Sequence, residues 1–574
     1  VIEIKGISAS PGIAIGKVYL FTEAEQKVPE YSILDSEVYH EMDRYKKAVS
    51  RSIHDLEGQK TNAGKEQSYL ETHILMLQDP EVHAKIEHKL TRNKKNVESV
   101  LSEVIGELIF QLESLEDLYL RERVLDVKDV SRRILGHLLK TEDIGIKQLR
   151  EEVILVCHNL MPSDAVAMDK TKVLGIALDA GGRTTHTAIL ARSYEIPAVL
   201  GTGRITKAVK DGDMLIVDGV AGLVIVNPDP DTLRKYAALK AEYQAGQNEL
   251  QHISHVPCVT KDGHFIQLKA NIENPSEVAS VLLHGAEGIG LYRSEFLYIQ
   301  HGVDVSEDVQ FEAYKTVLEG MGEKPVTIRT LDLGGDKLST DWSGPREANP
   351  ILGWRAIRFC LSRLDVFRKQ LRALLRSSVY GNLRIMFPLI SSVNEFQQAL
   401  DFYTEVQEEL RREGIPFRDK IPLGTMIEVP SAVMVADHLA KMADFFSIGT
   451  NDLIQYTLAV DRGNEKIADF YDPYHPGVLR MIEKTVQAAK MEGISVSVCG
   501  EMAGDPSMSL ILLGLGIEEF SMSPIVIPQV KNCLRSFDLF ESIKVVNEVL
   551  KLPTSKQVSQ YVTENGPGIC FDPS

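Results

Sequence analysis

The sequence predicts a multidomain α/β protein: a β/α domain with an inserted all-α bundle, followed by a C-terminal (β/α)8 barrel of the TIM type. Three observations carry this. The 574 residues exceed what one core can serve, and the length suits three or four domains. A β-like stretch over 2–21 gives way to helical periodicity, and the β pattern returns only from about 150. From 258 onward, eight apolar runs alternate with helical segments.

Residues 2–21 (IEIKGISASPGIAIGKVYLF) read as short strands broken by Ser-Pro-Gly. From 36 to 143 the period becomes helical: Leu70, Ile74 and Leu77 recur at helix spacing, and so do Val97, Val100, Leu101, Val104, Ile105, Leu108 and Leu112. Pro80 after Asp79 marks a helix start, and the stretch suits about four helices. This module reads equally as a scaffolding bundle and as a docking platform for a protein partner. From about 150 the strands VILVCHN, VLGIALDA, PAVLGTG, DMLIVDG and LVIVNP follow one another. Returning strand 2–21 to this group makes the helical module an insertion. The domains are then 1–21 with 145–229, the insertion 22–144, a polar helix within 230–257, and the barrel 258–574. The polar helix, with its thin apolar stripe, reads as a hinge or a passive spacer.

The eight runs of the barrel are 265–272, 288–293, 326–333, 383–390, 423–429, 445–451, 495–501 and 519–525. Helical segments such as 306–320, 392–413 and 476–492 separate them. Such barrels carry their chemistry at the C-terminal strand ends. Here those ends hold Arg293 and Glu295, Arg329 and Asp332, Glu428, Asn451 and Asp452, then Cys499 and Glu501.

That inventory points to a small polyanion. Arg293, Arg329, Arg355, Arg358, Arg462 and Lys337 supply cations, and planar guanidinium groups match phosphate and carboxylate oxygens. Arg363, Arg368 and Arg372 read instead as surface arginines in i,i+4 pairs. Glu428 and Asp452 suit Mg2+, which takes one or two protein carboxylates plus substrate oxygens. A paired acid–base role competes, and the surrounding arginines favour the metal. Cys499 stands at a strand end in VCGEMAGD, where a thiol can deliver or remove a proton at carbon.

Among the second group of strands lies Gly181-Gly182-Arg183-Thr184-Thr185-His186-Thr187-Ala188. The paired glycine lets the backbone turn sharply, and the apolar run Ile189, Leu190, Ala191 continues as a helix. His186 therefore opens a helix, where free N–H groups and the dipole favour an anion. That suits a histidine that is itself phosphorylated.

Composition narrows the classes. With 44% hydrophobic and 25% charged residues the chain is an ordinary globular one, and a net charge of −18 argues against nucleic-acid or anionic-membrane binding. Six scattered cysteines with no C-x-x-C pair read as thiols. No stretch reads as a membrane span or signal peptide, which predicts a cytoplasmic protein without membrane insertion.

Together these motifs resemble one family along nearly the whole chain. SPGIAIGK, GGRTTHTAILAR around His186, GAEGIGLYRSEF (285–296), RTLDLGGDK (329–337), NPILGWRAIR (349–358), FFSIGTNDLIQYTLAVDRGN (445–464) and CGEMAGD (499–505) are similar to those of Enzyme I of the bacterial phosphoenolpyruvate:sugar phosphotransferase system. The resemblance implies phosphoenolpyruvate and Mg2+ in the barrel, and His186 as nucleophile and phosphoryl carrier. It also implies transfer to a histidine of the carrier protein HPr, docked on the helical module. By the same resemblance Cys499 protonates the enolate, Glu428 and Asp452 hold Mg2+, and Arg293, Arg329, Arg355, Asn451, Arg462 and Lys337 contact substrate. The barrel would also make a homodimer.

Three departures stand out, the last of them the unusual tail NGPGICFDPS. Ala165 takes the place where many relatives carry a threonine that hydrogen-bonds the active histidine, and LSTDWSGPRE after Lys337 looks unusual. A pyruvate,phosphate dikinase or phosphoenolpyruvate synthase is the runner-up, yet residues 22–144 carry no G-x-x-x-x-G-K-[ST] loop. A silent adaptor would lack at least one of His186, Glu428, Asp452 and Cys499, and all four are present.

Overall fold

The computed structural model describes every residue except 1, 22–27, 61–66, 114–117, 141–148, 150, 162–163, 165–167, 183–185, 335–346, 348, 463, 465 and 567–574. Lys337 and Ala165 lie outside the described residues. The chain divides into two compact units, Val1–Gly246 and Gln247–Pro573.

The first unit holds one eight-stranded sheet in the order β1-β8-β7-β3-β4-β5-β6-β2. Its strands are β1 Ile2–Lys5, β2 Ile7–Ser10, β3 Ile13–Leu20, β4 Val153–Cys157, β5 Val173–Leu178, β6 Ala198–Leu200, β7 Met214–Asp218 and β8 Leu223–Val226. Strand β3 pairs in parallel with β4, Val18 opposite Ile154, and antiparallel with β7, Ile13 opposite Asp218. The break expected at Ser-Pro-Gly is real: Gly12 takes φ 122°, a conformation L side chains rarely adopt. Strand β4 is buried along its whole length, which is why its sequence is apolar throughout.

Between the paired strands β3 and β4 lie the helices α1 Val38–Lys60, α2 Gln67–Leu77, α3 Pro80–Asn93, α4 Val97–Glu113 and α5 Leu118–Leu139. Among the described residues there are five where the periodicity suggested about four. Asp79 divides α2 from α3 by accepting hydrogen bonds from the backbone N–H of Glu81 and Val82, with Pro80 at the first helical position. Leu70, Leu77, Val97, Val100, Leu101 and Val104 fill this bundle's own core, with Ile74, Leu108 and Leu112 packed against it. A polar helix, Pro230–Ser254, follows β8, and Leu233 and Tyr236 lay its thin stripe on Ile216 and Ile225.

The second unit is a closed barrel of parallel strands. They are β9 Gln267–Ile272, β10 Ile289–Arg293, β11 Pro325–Arg329, β12 Asn382–Phe387, β13 Leu423–Ile427, β14 Phe445–Ile448, β15 Ser495–Val498 and β16 Glu519–Met522, with β16 closing on β9. All eight runs form strands. Each leaves the sheet at or before the C-terminal end of its apolar run. Side chains alternate across each strand, so one set packs on the outer helices and the other fills the barrel. Lys269, Arg384 and Glu519 form a charged layer inside, with Lys269 and Arg384 both paired to Glu519. Above it Leu291, Met386, Met426, Phe445 and Cys499 form an apolar plug. Gly424 makes room for it, since a Cβ there would lie 2.5 Å from the Phe445 ring.

Cys157, Cys258, Cys360 and Cys499 are free thiols, as their spacing suggested, whereas Cys533 is disulfide-bonded. Among the described residues no helix is long and apolar enough to cross a membrane.

Candidate active site

The C-terminal mouth of the barrel gathers most of the strand-end residues singled out above. Arg329, the last residue of β11, is buried and sits between two carboxylates: Nη2 bonds Glu295 at 2.5 Å and Nη1 bonds Asp332 at 2.9 Å. Arg355 bonds the other oxygen of Asp332 at 2.8 Å and reaches Asp452 at 3.3 Å. Its backbone is placed by an isolated bridge to Gly334, where a Cβ would lie 2.0 Å from the Arg355 side chain. Both arginines are held charged by these carboxylates against the burial that opposes charge.

Glu428 follows β13 and is buried. One oxygen accepts a 2.6 Å hydrogen bond from the backbone N–H of Leu389, and the other packs so closely on Gly449 that a Cβ there would approach to 2.7 Å. Burial, then the charges of Asp452 and Asp332, push its carboxyl up to about 8, with Arg329 and Arg355 opposing. Asp452 lies in the first turn of the helix Thr450–Leu458, which β14 feeds directly. The two carboxylates thus share one electrostatic site that is short of positive charge.

Cys499 is the first residue beyond β15 and is buried. Burial pushes its thiol up to about 11, with Arg329 and Arg293 opposing, so it stays protonated near neutral pH. Asn451 clasps Glu501, accepting from its backbone N–H at 2.8 Å and donating to its carboxylate at 3.1 Å. Arg293 is half-exposed and pairs with Glu273, while Arg462 is exposed. Arg358 turns away, donating to the carbonyls of Leu352 and Gly353. Arg363 pairs with Asp365, whereas Arg368 and Arg372 pair across helices with Glu405, Glu409, Glu307 and Glu413, rather than at i,i+4 as expected. Their apolar faces pack inward, which leaves the charged ends to meet neighbouring helices.

Among the described residues several buried polar atoms at or just below the mouth have no hydrogen-bond partner: Glu295 Oε2, Arg329 Nε, Thr330 Oγ1, Ser447 Oγ and Thr450 Oγ1. Unpaired polar groups are costly to bury, so such a cluster fits a site completed by ligand atoms. Among the described residues no group of three or more His, Cys, Asp or Glu is arranged to hold a metal ion. The two carboxylates of Glu428 and Asp452 fit a divalent cation whose other ligands come from substrate and water.

In the first unit His186 is the first residue of the helix His186–Ser193, as its position in the sequence implied. Arg192 ties that helix to β2 by donating to the Ala9 carbonyl at 3.0 Å. Asp179, at the end of β5, was not singled out from sequence. It is buried, accepts from the Thr206 hydroxyl, from the Thr206 N–H at 3.3 Å and from the Thr202 hydroxyl at 3.3 Å, and lies 3.5 Å from His158 Nδ1. These bonds outweigh its burial and hold its carboxyl below the ordinary range.

Three family signatures cover this architecture: the N-terminal domain of PEP-utilising enzymes over residues 5–123, their mobile domain over 149–222, and their PEP-binding domain over 247–539. The phosphoenolpyruvate-protein phosphotransferase of Bacillus sp. (strain S) is 45% identical over 97% of this chain and 97% of its own. That of Geobacillus stearothermophilus is equally similar, and that of Bacillus subtilis (strain 168) is 44% identical over 98% of this chain and 99% of its own. The chain belongs to the phosphoenolpyruvate-protein phosphotransferase family. Within this family assignment, the mobile-domain match contains His186, and the PEP-binding match contains every mouth residue described above.

Proposed function

We propose that this protein transfers the phosphoryl group of phosphoenolpyruvate to His186 and then to a histidine of the carrier HPr, releasing pyruvate as the first step of sugar uptake. The observation that carries the reading is the mouth itself, where a protonated buried thiol, two buried carboxylates, the buried Arg329 and the half-buried Arg355 converge.

Arg329 and Arg355 hold the substrate phosphate and carboxylate, with Arg293, Asn451, Arg462 and Lys337 completing the shell. Glu428 and Asp452 hold Mg2+, which when bound offsets charge on the phosphoryl and enolate oxygens. A neutral His186 imidazole attacks phosphorus through Nε2, the bridging P–O bond breaks, and its electrons leave as the enolate of pyruvate. Cys499 then gives its proton to the methylene carbon. The thiol suits this task because burial keeps the proton on sulfur until the enolate forms. Ketonisation makes the transfer favourable overall. The helical module 22–144 is the HPr platform, 1–21 with 145–229 the histidine-bearing domain, 230–257 the linker, and 258–574 the substrate and dimerisation domain of a cytoplasmic homodimer.

The test is incubation with 32P-labelled phosphoenolpyruvate and Mg2+, with and without HPr, followed by mapping of acid-labile label. Label on His186 that chases into HPr supports the reading. Label that chases only with a nucleotide favours a dikinase-like reaction, and no label at all favours an adaptor.

A further inference from the structure

When Cys499 gives up its proton it leaves a negative sulfur in the barrel interior. The thiol's own resting contact cannot stabilise that charge, because Sγ lies 3.6 Å from a carbonyl, that of Ile448. A carbonyl accepts from a thiol but repels a thiolate. We propose that Ser447 supplies the missing donor: its hydroxyl hydrogen-bonds the Cys499 thiolate as the proton moves to the enolate, which makes Ser447 a positioning residue for the protonation step. This rests on reading Cys499 as the proton donor.

The geometry comes from the barrel's alternation. Strands β14 and β15 are neighbours, with Ser447 opposite Ser497 and Ile448 opposite Val498. Phe446, Ile448, Val496 and Val498 belong to the core shared with the outer helices. Phe445 and Cys499 belong to the plug inside the barrel. Alternation therefore turns Ser447 and Cys499 to the same inner face, on adjacent strands, with Cys499 two residues beyond the Ser497 that faces Ser447.

Ser447 is fully buried, and its Oγ makes no well-formed hydrogen bond among the described residues. Other serine hydroxyls of the barrel strands are used: Ser497 donates to the Phe446 carbonyl at 3.3 Å, and Ser521 donates to Asn271 at 2.6 Å. A buried unpaired hydroxyl is costly, and an alanine would pack there without that cost. The Ser447 hydroxyl favours the thiolate form and so opposes the burial that raises the thiol. Arg329 also favours the thiolate, but two of its guanidinium nitrogens are committed to Glu295 and Asp332. In the step the S–H bond of Cys499 breaks, a C–H bond forms at the enolate carbon, and the electron pair stays on sulfur. Ser447 keeps its own proton, and water restores the thiol after pyruvate leaves.

Two measurements on the full chain test this. In D2O with pyruvate and Mg2+, proton NMR follows loss of the methyl signal, which reads proton transfer at Cys499 without phosphoryl transfer. Steady-state turnover of phosphoenolpyruvate with HPr gives kcat and KM. Ser447→Ala should slow methyl exchange and kcat by about 10–100-fold, the range of one hydrogen bond to a charged group, with KM little changed. Ser447→Thr, which keeps the hydroxyl, should recover most of both. Wild-type kcat and exchange in Ser447→Ala, beside a crippled Cys499→Ala, would overturn the proposal. Turnover and exchange that persist in Cys499→Ala would instead remove the Cys499 reading.

Discussion

Arg355 Nη2 lies 3.3 Å from Asp452 Oδ2 while also bonding Asp332 at 2.8 Å. One guanidinium thus links a carboxylate proposed for the metal to the carboxylate that also holds Arg329. The proposed substrate and metal sites are therefore built from one network. Arg355→Ala should lower kcat/KM for phosphoenolpyruvate at least 100-fold, about 3 kcal/mol of transition-state stabilisation, and weaken Mg2+ dependence together with it. Arg355→Lys should recover only part, because an ammonium can replace the single nitrogen that meets both carboxylates but not the guanidinium donors left over for substrate. Steady-state kinetics over a grid of substrate and Mg2+ concentrations check both.

Cys499→Ala should leave phosphoenolpyruvate binding nearly intact, since the thiol does not bind the phosphate, while cutting turnover by about 100-fold or more. The pH profile carries a sign. The thiol's value is raised to about 11, so the proton-bearing form dominates below that pH and is lost as pH rises through it. No fall in kcat from Cys499 is expected between pH 7 and 9, and an alkaline fall should appear only near 11. Stopped-flow binding and a kcat profile in the wild type would show it. A wild-type alkaline limb at pH 8 that vanishes in Cys499→Ala would contradict this.

The barrel was legible because its strands are apolar runs bounded by helical periods, and every run became a strand. The runs overshot at their C-terminal ends for a physical reason. Leu331, Leu333 and Cys499 leave the sheet yet remain buried, because Leu331 and Leu333 pack into the core against the outer helices and Cys499 into the plug inside the barrel. Charged residues at those ends, Arg329, Asp332, Glu428 and Asp452, were therefore visible as a site before any geometry. Ser447 and Asp179 were not. A serine in an apolar run signals nothing until its neighbour across the sheet is known, and Asp179 before Ala180-Gly181 reads as a turn residue. The split between α2 and α3 was marked by Asp79-Pro80, yet the helical period alone undercounted the helices.

Inside the barrel, Lys269 and Glu519 form a buried pair that Arg384 joins. Burial draws the Lys269 ammonium down, while the two cations hold Glu519 below the ordinary carboxylate range despite its own burial. Glu519→Gln leaves a buried ammonium without its counter-charge and should cost about 3–5 kcal/mol. Replacing both, as Lys269→Met with Glu519→Leu, should cost far less. The Glu519 shift is downward, so its contribution is complete above the unfolded value of about 4.3 and is lost as pH falls through the lower folded value. Urea unfolding of the single and double variants at neutral and acid pH separates these cases.

Asp179 fastens the start of the segment that leads to His186. Its backbone N–H donates to the Cys157 carbonyl at 3.2 Å, and its carbonyl accepts from Gly203 at 3.0 Å. Its carboxylate holds Thr202 and Thr206. Gly201 comes so close to Gly181 that a Cβ there would lie 2.9 Å from its carbonyl oxygen. The loop after β6 thus braces the glycine pair before the histidine helix. Asp179→Ala strips an acceptor from buried donors and should cost about 2–3 kcal/mol of local stability. Phosphorylation of His186 should slow about tenfold or more through lost alignment, with pyruvate methyl exchange at the barrel unchanged, because that chemistry lies in the other unit. Equal slowing of exchange in this variant would show that the defect is not confined to the histidine segment.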